Sequence, residues 1–79
     1  MSPTIYRENG LRYFFFSREE ERKHIHIMSS DGEAKFWLEP TIELAVNHSF
    51  SAKQLKHIKK VIEEHYNEFI NEWNAHFIY

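Results

Sequence analysis

Two histidines separated by a single residue could carry out chemistry in this chain. His24 and His26 stand in a segment where polar and apolar residues alternate, and side chains two apart on a β-strand point the same way. One imidazole could act as a general base and the other as a general acid, because an unperturbed pKa of about 6.5 suits proton transfer at neutral pH. Alternatively, both could ligate a divalent metal such as zinc, nickel or iron, with Glu39 or His48 completing the site.

Lys35 and Trp37 are expected on the same face as the two histidines. The ammonium of Lys35 could stabilise negative charge developing on a phosphate, and the indole of Trp37 could stack on a nucleobase. Together the four side chains would form a metal-independent ribonuclease site. The other interpretation is a polar face that is solvated or covered by a partner, because binding surfaces are also enriched in tryptophan and arginine.

A β-hairpin is predicted to bring these side chains together. Lys23–Ser30 would pair with Glu33–Leu38 across a two-residue turn at Asp31-Gly32, a register that sets His26 opposite Trp37. Alternation then gives an apolar face that forms the core: Ile25, Ile27, Ala34, Phe36 and Leu38. The opposite face is too polar to bury and too aromatic for ordinary surface: His24, His26, Met28, Glu33, Lys35 and Trp37.

Another hairpin is predicted nearer the N-terminus. Thr4–Glu8 and Leu11–Ser17 flank Asn9-Gly10, the pair that best accepts the positive φ angles of a type I′ turn. This register sets Arg7 opposite Arg12, which is repulsive unless an anion or a carboxylate lies between them. The other predicted pairs are Glu8–Leu11, Tyr6–Tyr13 and Ile5–Phe14.

One long C-terminal helix is predicted to begin at Ser51. Ser51 and Gln54 form a capping box, while Phe50 and Leu55 occupy the positions of a hydrophobic staple. Apolar residues then recur at steps of three and four: Leu55, Ile58, Ile62, Tyr66, Phe69, Trp73 and Phe77. Before the helix, the alternation from Ile42 to Val46 predicts a short fifth strand, with a helical turn as the alternative.

The first turns of this helix carry lysines where the helix dipole disfavours cations. Lys53 and Lys56, together with His48 just upstream and the free backbone N–H groups, could therefore bind a phosphate or a carboxylate. The alternative is an exposed helix face on which lysines pair with glutamates four residues later.

Composition limits the classes of protein that fit. A chain of 79 residues can hold one core, so a single α+β domain is predicted: an antiparallel sheet of two hairpins, with the short fifth strand, on one helix. The chain has no cysteine, which favours a reducing compartment, and the cytosol is expected. No apolar run could span a bilayer, and no signal peptide is expected. The net charge of −2 disfavours a generally basic nucleic-acid-coating protein but allows one local basic face.

Short stretches along nearly the whole chain resemble a family of small prokaryotic proteins known as domain of unknown function 4160. These stretches are Pro3-Thr4-Ile5, Arg12-Tyr13-Phe14-Phe15-Phe16-Ser17, His24-Ile25-His26-Ile27, Glu33-Ala34-Lys35-Phe36-Trp37-Leu38, Asn47-His48, Phe50-Ser51-Ala52 and Trp73-Asn74. Members often look like the toxin half of a type II toxin–antitoxin pair. The family usually has prolines where Arg22-Lys23 stand here, and often glycine in place of Ser49.

The resemblance implies a partner and a biological setting. Together with the residues above, it leads to the hypothesis of a cytosolic toxin-like protein, inhibited by a cognate small antitoxin, that acts on RNA or on a translation component. In this hypothesis the catalytic residues are His24, His26 and Lys35. The residues expected to bind substrate are Arg7, Arg12, Trp37, His48, Lys53 and Lys56. The alternatives are a non-catalytic protein-binding module or regulator, and a metal-binding protein that uses His24 and His26. A homo-oligomer is also consistent with the sequence, and no cofactor is required unless the metal alternative holds.

Overall fold

The computed structural model describes residues 4–15 and 22–77 of the chain. Within these ranges the elements are β1 (Thr4–Glu8), β2 (Leu11–Phe14), β3 (His24–Ser29), β4 (Gly32–Trp37), β5 (Glu43–His48), α1 (Ala52–Glu64) and α2 (Tyr66–His76). The strands form one antiparallel sheet in chain order, so β1 and β5 are its edges. The predicted α+β class is confirmed. Neither α1 nor α2 is long and apolar enough to cross a membrane.

The first hairpin forms at the predicted turn. Asn9 has a φ of 51° and Gly10 a φ of 76°, as a type I′ turn requires. Three predicted pairs are confirmed: Glu8–Leu11, Arg7–Arg12 and Tyr6–Tyr13. The predicted pair of Ile5 with Phe14 is wrong, because a register shift sets Thr4 opposite Phe14 and lets Ile5 pack against the core. Positions 16 and 17 of the predicted second strand lie outside the described residues.

The second hairpin has the predicted faces but a different register. Ser29 pairs with Gly32, so the turn residues are Ser30 and Asp31, and His26 lies opposite Lys35 rather than Trp37. The glycine is required by a close approach: a Cβ at Gly32 would overlap the carbonyl oxygen of His48. Because the register differs from the predicted one by two residues, every side chain stays on its predicted face. The predicted core face is buried throughout: Ile25, Ile27, Ala34, Phe36 and Leu38.

The predicted fifth strand is confirmed as β5, and it contains a bulge. Val46 lies opposite Lys35 and Leu44 opposite Phe36, which leaves Ala45 as an extra residue without a partner in the register. Leu44 is therefore on the helix side of the sheet and Val46 on the other side. Both side chains are exposed, by 45% and 40% respectively, because nothing in the described residues covers this edge.

The predicted single helix is two helices. The capping box is present, with the Ser51 hydroxyl accepting from the Gln54 N–H and the Gln54 side chain accepting from the Ser51 N–H. At His65 the backbone leaves the helical region, with φ −108° and ψ 19°. The His65 ring turns toward the sheet and packs 4.4 Å from the ring of Tyr6. Apolar periodicity continues through this position, so the pattern alone does not indicate the break.

The core lies between the sheet and the two helices. Its largest members are aromatic: Tyr13, Phe15, Phe36, Phe69 and Trp73. Tyr13 stacks with Phe69, while the ring of Phe15 meets Trp73 edge to face at 5.3 Å. Such rings bury a large area per residue, which suits a chain this short.

Replacement of Tyr13 by phenylalanine is expected to stabilise the domain by about 1 kcal/mol. The Tyr13 hydroxyl is buried, and no residue in 4–15 or 22–77 accepts or donates a hydrogen bond to it. Burial, and secondly the nearby Glu8 carboxylate and Tyr6, raise the pKa of the Tyr13 phenol. The folded state therefore keeps this proton more tightly than the unfolded state, whose phenol has a pKa of about 10.

Stability should be insensitive to the Tyr13 proton below that pH and should fall as the pH rises above about 10. The Tyr13→Phe variant should lose less stability than the wild type over this alkaline range. Urea denaturation at pH 7 and at increasing alkaline pH measures both effects. A variant less stable than the wild type at pH 7 would mean that the hydroxyl has a hydrogen-bond partner.

Replacement of Ser49 by glycine is also expected to stabilise the domain, by about 0.5–1 kcal/mol. Ser49 has a φ of 80°, a left-handed conformation that is costly for a residue with a Cβ. For a domain of this size the gain corresponds to a rise in Tm of about 2–8 °C. Ser30→Gly, at an exposed turn position without positive φ, is the matched control and should give no gain.

Candidate functional site

The side of the sheet opposite the helices carries most of the residues that could bind or react. We call it the outer face, and strand register defines its members: Thr4, Arg7, Arg12, Phe14, His24, His26, Met28, Glu33, Lys35, Trp37, Glu43, Val46 and His48. Its central row runs across four strands through Phe14, His26, Lys35 and Val46. Because these residues are direct cross-strand neighbours, their side chains are close enough to interact.

The outer face brings together seven of the residues predicted from the sequence: Arg7, Arg12, His24, His26, Lys35, Trp37 and His48. The other two, Lys53 and Lys56, are exposed on α1, which packs on the opposite side of the sheet. Lys53 lines a cavity of about 360 Å³ between the two hairpin turns, whereas His48 lines a different cavity with Glu33. The predicted anion site that combined His48 with the two lysines is therefore divided between two surfaces.

His24 is buried, although it was predicted on an exposed polar face. Its ring is 1% exposed, and it lies 5.8 Å from the ring of Trp37 and 5.1 Å from the ring of Trp73 on α2. Its Nδ1 is 2.8 Å from the carbonyl oxygen of Arg22, so Nδ1 carries the proton and donates it. The expectation that this face is too polar to bury is wrong at His24, because two indoles enclose the imidazole and a carbonyl satisfies its N–H group.

His26 belongs to an aromatic cluster in the centre of the outer face. Its ring stacks on Phe14, with centroids 5.5 Å apart and planes 24° from parallel, and it meets the His24 ring edge-on at 5.2 Å. The guanidinium of Arg12 covers the Phe14 ring at 4.4 Å. As a result Phe14 is 3% exposed although it points away from the helices. The imidazole of His26 is thus held in place and partly accessible.

Trp37 carries two cations on its indole ring. The guanidinium of Arg22 is 4.2 Å and the ammonium of Lys35 is 4.4 Å from the ring centroid, both within the range of cation–π attraction. Arg22 is anchored further by its Nε, which donates to the Glu39 carbonyl oxygen at 2.7 Å. A nucleobase could stack on this indole only where the cations leave its surface open or move aside.

Sequence reasoning did not select Arg22 as a site residue. A signal for it exists, since Arg22 precedes His24 by two positions and side chains at that spacing point to the same side of an extended segment. His57 was missed for a different reason. Its Nε2 lies 2.8 Å from a carboxylate oxygen of Glu8, a contact across 49 residues of sequence that no local pattern predicts.

In the described part of the chain, no third metal ligand lies beside the two histidines. Within residues 4–15 and 22–77, no three His, Cys, Asp or Glu side chains are grouped so that they could hold a metal ion. Glu39 is 3.6 Å from the ammonium of Lys23, and His48 lies opposite Glu33 in another row of the sheet.

Comparison with known families finds one that covers most of the chain. A family model described as Domain of unknown function (DUF4160) matches residues 10–74. The chain belongs to this family. The DUF4160 match extends from the first hairpin turn into α2, and it includes every outer-face residue except Thr4 and Arg7. No curated protein and no solved structure matches the chain.

Proposed function

We propose that this DUF4160 protein is the toxin-like component of a type II toxin–antitoxin system and acts on RNA, or on a translation component, through its outer face. The biological setting follows from the family resemblance. The chemistry follows from one observation: cations lie on aromatic rings at two places on the outer face, Arg12 on Phe14 and Lys35 on Trp37.

Such pairs suit single-stranded RNA. Arginine and lysine neutralise backbone phosphates and release bound counterions, while aromatic rings and guanidinium planes accept stacked bases. The overall charge of −2 does not oppose this, because Arg7, Arg12 and Lys35 outnumber Glu33 and Glu43 on the outer face. Four further carboxylates are on the helices: Glu63, Glu64, Glu68 and Glu72. RNA would therefore first meet the cations, which lie over the aromatic rings.

In the catalytic form of the proposal, His26 and His24 transfer protons and Lys35 stabilises the charge on the phosphate. His26 and Lys35 are direct cross-strand partners, so a phosphate held by the ammonium would lie beside the imidazole. One histidine would take the proton of the ribose 2′-hydroxyl and the other would protonate the departing 5′-oxygen. Because His24 is buried, RNA would have to displace part of the surface around Trp37 to reach it.

That burial favours a second candidate, a non-catalytic binding module or regulator. His24 is 1% exposed and hydrogen-bonded to a carbonyl oxygen, so in this candidate it acts as a packing residue that positions its neighbours. The outer face would then bind its target through Arg12, Lys35 and Trp37 without chemistry.

Expression from a repressible promoter tests both candidates. The wild type should arrest growth, and the product of the neighbouring gene should relieve the arrest. Lys35→Ala should abolish the arrest, whereas Lys59→Ala, which removes the same charge from an exposed position on α1, should not. Equal arrest by the wild type and by His26→Ala would reject the catalytic form and favour the binding module. Absence of arrest by the wild type would reject the toxin-like role.

Binding of labelled single-stranded RNA, followed by fluorescence anisotropy, gives an independent measurement. Lys35→Ala should weaken binding about fivefold at low salt and reduce the slope of log K against log salt by about 0.7. Lys59→Ala should leave both quantities unchanged. Equal salt slopes for the wild type and Lys35→Ala would mean that the ammonium does not contact phosphate.

A further inference from the structure

The edge strand β5 offers a binding surface that the proposed function does not use. Its backbone pairs with β4 on one side only, so the hydrogen-bonding groups along its other side face outward. Among the described residues, the exposed large apolar side chains are Met28, Leu44 and Val46, and two of these three are on β5.

Most edge strands carry features that prevent pairing with another chain, such as lysine, proline, a β-bulge or a covering loop. The sequence of β5, Glu43–His48, contains no lysine, arginine or proline. Its one formal charge is Glu43, which reaches Arg22 at 3.6 Å yet keeps a side chain that is 60% exposed. The strand is therefore chemically able to accept another strand.

The bulge at Ala45 hinders pairing with a regular strand but makes β5 complementary to a second strand with the same bulge. Glu43 and His48 both lie on the outer face, opposite Trp37 and Glu33, although residues five apart in a regular strand point to opposite faces. Leu44 and Asn47 both lie on the helix side by the same count. With the extra residue Ala45 set aside, the order of faces along β5 reads the same in either direction.

An antiparallel pair of two β5 strands can consequently match every face. Partners across an antiparallel ladder must share a face. One register meets this condition, with Glu43 opposite His48 of the second copy and Leu44 opposite its Asn47. Each of these pairs occurs twice, with Val46 opposite Val46 of the second copy at the centre and Ala45 as the extra residue of each strand. A carboxylate meets an imidazole at both ends of the pairing, where the imidazole N–H can donate a hydrogen bond to the carboxylate.

We propose that two copies of the chain associate through β5 about a two-fold axis perpendicular to the sheet. The contact is isologous, since each copy contributes the same strand. The two sheets become one continuous sheet, and the two outer faces lie side by side on the same surface. The occupant of the edge is a second copy of this chain.

Sedimentation equilibrium of the full chain over a range of concentrations tests the pairing and its register. The wild type should be dimeric. His48→Glu should raise the dimer Kd at least tenfold, because it sets two carboxylates opposite each other at both ends. The double variant Glu43→Lys with His48→Glu should restore dimerisation, because it sets an ammonium opposite a carboxylate at both ends. Asn71→Glu, which adds a negative charge at an exposed position on α2, should leave the Kd unchanged.

Far-UV circular dichroism of each variant confirms that the fold is retained. Within one copy, the double variant would set the lysine of Glu43→Lys beside Arg22 and the glutamate of His48→Glu beside Glu33, and both contacts are repulsive. A recovery of dimerisation could therefore come only from the pairing between copies. A monomeric wild type overturns the proposal, including the case in which it binds the neighbouring gene product through β5 instead. Equal dimer Kd values for His48→Glu and the double variant overturn it as well.

Discussion

Replacement of Gly32 by alanine is expected to lower the free energy of unfolding by at least about 3 kcal/mol, the upper end of the usual range for overpacking. A Cβ at this position would overlap the carbonyl oxygen of His48 and lie 3.1 Å from the backbone nitrogen of Phe50. Both obstacles are backbone atoms, which cannot move aside like the end of a side chain. Relief would require β5 to separate from β4 or the chain before α1 to shift.

The other glycine supplies the control. Gly10 has a φ of 76° but nothing within 4 Å of an added Cβ, so Gly10→Ala should cost only the backbone strain of about 1–2 kcal/mol. Urea denaturation followed by far-UV circular dichroism compares the two variants with the wild type. If Gly32→Ala costs no more than Gly10→Ala, the close approach of β5 to the second hairpin is contradicted.

Replacement of Trp73 by alanine is expected to cost about 3–5 kcal/mol, the range for a large buried aromatic residue. Trp73 is 2% exposed, and its ring contacts Phe15, Phe77 and His24. The substitution would remove the contact between α2 and the histidine strand. It would also open His24 to water from the helix side.

Trp37→Ala is the matched control for Trp73→Ala, because it removes the same side chain from the half-buried outer face. Its cost should be about 1–2 kcal/mol, since less apolar area is lost from the folded state. Thermal and urea denaturation measure both variants. Equal losses of stability would show that the outer face is packed as tightly as the core and is not an open binding surface.

The sequence was sufficient to predict the side of the sheet on which each residue of the second hairpin lies, but not the register. Faces depend only on the alternation of apolar and polar residues, which a shift of two preserves. The register was mispredicted at Gly32. This residue lies outside the turn, and it is glycine because the backbone of His48 approaches it closely. That contact lies 16 residues away in sequence, and a local turn pattern cannot reveal it.

The helix break and the burial of His24 were also beyond local patterns. The apolar residues at steps of three and four continue on both sides of His65, so they do not indicate a break. His65 leaves the helical geometry where its ring contacts Tyr6 on the first strand. His24 is enclosed partly by Trp73, 49 residues later in the chain. By contrast, the capping box at Ser51 and the turn at Asn9-Gly10 involve neighbouring residues, and both were predicted correctly.

The two indoles report on different parts of the molecule. Trp37 lies on the outer face beneath Arg22 and Lys35, whereas Trp73 lies in the core, and the ring of His24 contacts both. Fluorescence emission from Trp37 should change when a ligand disturbs the cations above it. Fluorescence emission from Trp73 should change when the core unfolds. A pair of single-tryptophan variants would therefore give separate optical signals for occupancy and for melting, without any attached dye.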